Sequence, residues 1–108
     1  MITEQPNFTV IDKMSGGSSD VRVLILEVIK EEFPEEQKEY FYQLEQKNYK
    51  KLQEIVHKIK HKISTLGLEE SYVIANNYEK NLRKESLELA TDFKDILTII
   101  ENFVKKIS

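Results

Sequence analysis

The chain has 108 residues, with 16 Lys and Arg against 19 Asp and Glu for a formal charge of −3, two histidines and no cysteine. That length suits one domain with a buried core but not a cofactor domain beside a substrate domain. The missing cysteines exclude a disulfide framework, a thiol nucleophile and thiolate metal sites, and the mild acidity argues against general nucleic-acid binding.

No apolar run approaches the ~20 residues of a bilayer span, and MITEQPNFTV lacks the apolar stretch of a signal peptide. A soluble, cytoplasmic protein without a membrane partner is expected.

Residues 1–17 read as an N-terminal arm, loose or briefly helical, closed by Gly16-Gly17; the bundle proper is expected over residues 18–108. Ser18, Ser19 and Asp20 supply capping side chains for a first long helix. Val21, Leu24, Ile25, Val28 and Ile29 recur on it at helical spacing as its expected buried stripe. The pattern is expected to halt at Phe33-Pro34, because proline pushes its predecessor out of the helical region. Pro34 can open a second helix, with Glu35 and Glu36 near its positive end and Tyr40, Phe41 and Leu44 buried.

Asn48 precedes a third helix whose Leu52, Ile55, Val56, Ile59, Ile63 and Leu66 step by three and four, and Gly67 is placed to end it. A fourth helix from about Glu69 turns Tyr72, Ala75, Tyr78 and Leu82 inward. A fifth, from about Leu87 to Ile107, carries Ala90, Phe93, Ile96, Leu97, Ile100, Phe103, Val104 and Ile107 on one face. With no alternating stretch long enough for a strand, the fold class is all-α: an antiparallel four-helix bundle with an additional short N-terminal helix or arm.

The segment VHKIKHKISTLG holds both histidines. At ~100° per residue, His57 lies about 150° from the centre of the third helix's apolar stripe, so it faces water. His61 is beside it one turn on. Lys60 sits between that face and the core edge, where its ammonium can stand next to a negative group attached to His57, and Lys58 and Lys62 raise the local positive potential. On the fourth helix Glu79 projects about 40° from Ala75, and a carboxylate in that direction needs a partner. A hairpin about Gly67 places His57 and Glu79 at similar distances from the turn. Glu79 can then take a hydrogen bond from one ring nitrogen and leave the other nucleophilic; an ion pair of Glu79 with a lysine is the competing arrangement.

His57-x-x-Lys60 followed by Leu66-Gly67-Leu68 resembles the signature of histidine-containing phosphotransfer (HPt) domains, in which one helix carries H-x-L-K-G-x-x-x-x-L-G. The likeness extends to Met14-Ser15-Gly16-Gly17 before a helix, Phe33 closing it, Asn48-Tyr49 before the histidine helix, and Glu79 where the family usually has Gln or Glu. Such proteins have a four-helix core, shuttle a phosphoryl group between receiver-domain aspartates, and lack kinase activity. The resemblance implies that His57 is the phosphoacceptor, Lys60 stabilises the phosphoryl group and Glu79 orients the imidazole. It further implies response-regulator receiver domains and a hybrid sensor histidine kinase as partners and no cofactor of its own, magnesium being supplied by the receiver; a bundle with its own core needs no partner to fold, so a monomer is expected.

The family's small residues after the lysine are His61 and Lys62 here. Two bulky side chains at that place slow transfer, restrict the partner, or mark a degenerate site. His61 has Ser64 rather than a lysine three residues on, which favours His57 as acceptor. Expected contacts with a receiver are His61, Lys58, Lys62, Ser64, Val73, Arg83, Val23 and Leu26; an intrahelical pair with Glu79 competes for Arg83, and packing against Phe8, Val10 and Ile11 of the arm competes for the last two. Gly16-Gly17 is too short for a phosphate loop, so ATP binding is not expected. Two other functions stay open: a helical adaptor without phosphate chemistry, and a metal site of His57, His61 and Glu79, against which the surrounding lysines work.

Overall fold

A computed structural model describes residues 2–108. Five helices follow in order: α1 (Thr9–Ser15), α2 (Ser19–Glu45), α3 (Tyr49–Thr65), α4 (Glu69–Arg83) and α5 (Ala90–Ile107). Short connections make α2 to α5 antiparallel neighbours; α2 packs on α3, α3 on α4, α4 on α5 and α5 back on α2, closing a four-helix bundle, while α1 lies on α2 and α3. The 42 Å long axis is close to the ~40 Å that a 27-residue helix spans at 1.5 Å per residue, so α2 sets the length of the molecule.

The predicted break at Phe33-Pro34 does not occur: α2 is continuous through Pro34. Proline there removes the N–H that would bond to the Lys30 carbonyl, a disruption of about 3 kcal/mol in a helix interior. Ile29, Phe33 and Tyr40 lie within about 40° of one another on the helix, and all are buried in one core. Continuous packing along that stripe outweighs the local preference. Pro34→Ala is therefore expected to raise stability, by about 1–3 kcal/mol in urea unfolding; a loss of stability would show that the proline fits a local distortion that alanine does not relieve.

Several residues expected to be buried are not. Val21, Leu24 and Val28 are exposed, Leu24 by 65%, as are Phe41 on α2 and Tyr72 on α4. The short α1 covers only one flank of the N-terminal half of α2, which leaves the Val21, Leu24, Val28 side open. The stripes of α3 and α5 are buried as their spacing predicts, apart from Ala90, Phe103 and Ile107 at the fringe of the core.

Ser18 accepts a hydrogen bond from the Val21 N–H, and Asn48 from the Lys51 N–H, so both caps form. The last helix begins three residues later than expected, at Ala90, because the chain turns through Leu89 with φ of 78°. Leu87 and Leu89 still pack on the core from this turn.

The N-terminal arm is docked rather than loose. Ile11 is fully buried, and Phe8 packs against Phe103 and lies under the Arg22 guanidinium, which is 4.2 Å from the Phe8 ring centre. The Asn7 N–H donates to the Leu66 carbonyl at 2.9 Å and its side-chain amide to the Gly67 carbonyl at 3.3 Å. Gly67 has φ of 72°, and a Cβ there would run into the Asn7 amide, so this turn excludes other residues twice over. α4 lacks a side-chain cap at Leu68. The Glu4 carboxylate takes that role from a distance, accepting the N–H groups of Glu70 and Ser71.

Candidate functional site

The site lies on the outward edge of the α3–α4 hairpin. Its phase is set by Ile55, Ile59 and Ile63, whose burial turns His57 outward; the His57 side chain is 55% exposed. Ala75, Tyr78 and Leu82 fix α4 in the same way and bring Glu79 up behind the histidine. His57 Nδ1 lies 3.4 Å from Glu79 Oε1.

Glu79 is buried, with its side chain only 8% exposed, and is surrounded by positive groups. Lys60 Nζ is 2.9 Å from Oε1 and Arg83 Nη2 donates to Oε2 at 3.2 Å. Burial by itself pushes the Glu79 carboxyl up, but the Lys60 ammonium and the His57 ring outweigh it, and the net displacement is downward. The carboxylate is thus anionic at neutral pH and able only to accept hydrogen bonds.

Lys60 is also buried. Its ammonium donates to Asn76 Oδ1 at 3.1 Å and sits 5.7 Å from the Tyr72 ring centre. Both partners weighed from sequence, histidine and lysine, approach the same oxygen at ion-pair distance, but neither contact has hydrogen-bond geometry and Oε1 is left without a hydrogen-bond partner.

His61 is exposed beside His57, and the two rings are in contact: their centres are 4.9 Å apart, edge to face, with the two Nε2 atoms 3.3 Å apart. Lys62 is buried and held by two carboxylates of α2, Glu32 at 2.8 Å and Glu36 at 3.0 Å. Its charge is neutralised, so it does not add to the positive surface as expected. The same contact holds the Glu32 carboxyl below the usual range. Lys58 is exposed and opens on a hollow shared with Glu32, Glu36, His57 and His61.

Two shallow grooves start at His61. One is bounded by Met14, Ile25, Val28 and Thr65, the other by Val10, Met14, Ser64 and Tyr72. Val73 is exposed next to Tyr72. Val23 is exposed and Leu26 packs partly on the core; Val23 is turned about 140° from Val28 around α2 and so away from the histidines.

Sequence reading missed Asn76, Glu32, Glu36 and the Met14–Val28 groove. Asn76 was accessible in principle, one turn before Glu79 on the same face. The two α2 carboxylates became relevant only because α2 runs unbroken past α3.

Among the described residues no group of three His, Cys, Asp or Glu side chains is placed to hold a metal ion. The trio His57, His61 and Glu79 does not converge, since Glu79 meets the Nδ1 edge of His57 and His61 meets the Nε2 edge. No helix among the described residues is long and apolar enough to cross a membrane. No family model, curated protein or solved structure matches the chain.

Proposed function

We propose that this protein is a phosphorelay intermediate of the HPt kind, accepting a phosphoryl group on His57 from a receiver-domain aspartate and passing it to another receiver. The observation that carries this reading is the exposed His57 ring backed at Nδ1 by the buried Glu79 carboxylate. A proton on Nδ1 is favoured by that anion, which leaves the Nε2 lone pair as the nucleophile.

In the forward step the Nε2 lone pair forms the bond to phosphorus as the phosphorus–oxygen bond breaks, and its electron pair leaves on the aspartate oxygen. The proton stays on Nδ1, where Glu79 offsets the positive charge that develops on the ring. Lys60 acts mainly by holding Glu79 charged and in place, because its ammonium is shared between Glu79 and Asn76. Magnesium on the receiver would neutralise the phosphoryl oxygens. A hybrid sensor histidine kinase is the proposed upstream source, the setting cytoplasmic and the protein monomeric; the bundle itself has no kinase role in this reading.

The test uses a small phosphodonor. Phosphoramidate should give the purified protein an acid-labile, base-stable label visible by phosphorus NMR; His57→Gln should abolish it and His61→Gln should retain it. A label that survives His57→Gln but not His61→Gln would move the acceptor to His61.

One observation favours a second reading, a helical adaptor with a degenerate site. His61 occupies the space directly in front of the acceptor nitrogen. The adaptor reading predicts no label with phosphoramidate or with any phosphorylated receiver.

A further inference from the structure

His61 stands where the HPt pattern has glycine, and its ring nitrogen meets the very atom that the proposed chemistry needs. The inference drawn from this contact rests on the phosphoacceptor reading for its consequence but not for its geometry.

We propose that His61 is a gate on the acceptor nitrogen: it donates its Nε2–H to Nε2 of His57 and masks the lone pair until the ring turns aside. The assignment follows from the neighbours. Glu79, held anionic by Lys60 and Arg83, accepts only, so the proton of neutral His57 belongs on Nδ1. Nε2 of His57 then carries a lone pair. Two neutral rings with facing nitrogens 3.3 Å apart attract each other only if one donates, and that one is His61.

The other charged groups at this face do not compete for the contact. Lys62 is bonded to Glu32 and Glu36 from α2, Lys60 is engaged with Glu79 and Asn76, Arg83 with Glu79, Glu54 is paired with Lys51, and Lys58 is exposed at the hollow's lining.

The gate has somewhere to go. The groove bounded by Met14, Ile25, Val28 and Thr65 begins at His61, so a rotamer change moves the ring off His57 without displacing the core. No bond other than the hydrogen bond is broken in opening. The phosphoryl donor then meets the freed lone pair, and the phosphorus–nitrogen bond forms as the donor's leaving group departs with its electron pair. His61 is a positioning residue in this scheme.

An ordinary net hydrogen-bond strength corresponds to an open fraction lowered about two- to tenfold. Isotope-labelled protein at about pH 8 should therefore show a scalar nitrogen–nitrogen coupling between the two Nε2 atoms. His61→Ala should take label from phosphoramidate about two- to tenfold faster than wild type. His61→Gln, whose side-chain amide keeps a donor, should fall between the two.

Absence of the coupling with both rings protonated at Nε2, or labelling of His61→Ala at the wild-type rate, overturns the proposal. A coupling without label in wild type or either variant leaves the hydrogen-bonded pair standing and removes the phosphoacceptor function itself.

Discussion

Glu79→Ala is expected to lower the stability of the folded protein by about 3 kcal/mol, the lower end of the 3–5 kcal/mol found when one partner of a buried ion pair is removed. The lower end applies because His57 and Arg83 open to water on the outer side, whereas the Lys60 side chain is only 10% exposed. Without the carboxylate, the Lys60 ammonium keeps Asn76 as its partner but loses its counter-charge. Glu79→Gln retains volume and one acceptor oxygen for His57 Nδ1, so a smaller loss is expected. Urea unfolding of the two variants separates the cost of the buried cation from that of the lost packing; a cost under about 1 kcal/mol for alanine would mean that Lys60 finds water easily.

The same carboxylate sets a pH dependence. Its carboxyl is lowered from the ordinary 4.5 in the folded protein, so its contribution to stability is fully present above that pH. It is lost as the pH falls through the lowered value. Wild type should thus lose stability below about pH 4.5 more steeply than Glu79→Gln, compared by urea midpoints across the acid range. Glu32, lowered by Lys62, contributes to both proteins alike. Labelling of His57 in Glu79→Ala should fall sharply, because the ring loses the anion that favours the Nδ1 proton.

Phe93→Ala is expected to cost about 3–5 kcal/mol, the usual range for deleting a buried phenyl ring, and to lower the melting temperature by more than about 10 °C in a domain of this size. Phe93 is fully buried, with ring centres 5.1 Å from both Tyr40 and Tyr78, and so ties α5 to α2 and α4. The cavity would open beside two phenols whose oxygens are 2.7 Å apart. Burial pushes both hydroxyls up, so they remain neutral and bonded to each other. Tyr40→Phe should cost less, about 1–3 kcal/mol, chiefly from the Tyr78 hydroxyl left without its partner. A melting temperature unchanged by Phe93→Ala would mean that the three rings do not hold the helices together.

The side of the helix on which His57 lies was legible from α3 alone. Leu52, Ile55, Val56, Ile59 and Ile63 fix the helical phase, and phase is a local property that each residue advances by about 100°. Gly67 marks the turn, and counting outward from it places Glu79 level with His57. Asn48 and Ser18 are legible for a similarly local reason, since a capping side chain bonds to its own helix.

The rest was decided in three dimensions. Pro34 argues for a break, yet Ile29, Phe33 and Tyr40 share a core that keeps α2 whole. In sequence Lys60 reads as a charge at the core edge beside His57 and Lys62 as one more contributor to a positive surface, and neither reading supplies its partner. In the fold one holds Glu79 and the other is neutralised by Glu32 and Glu36 across the helix interface. The stripe of Val21, Leu24 and Val28 reads as core and lies open, because α1 is too short to cover it. Periodicity reports which residues share a face, whereas burial and charge balance depend on what the neighbouring helix brings to that face, and residues far apart along the chain supply it.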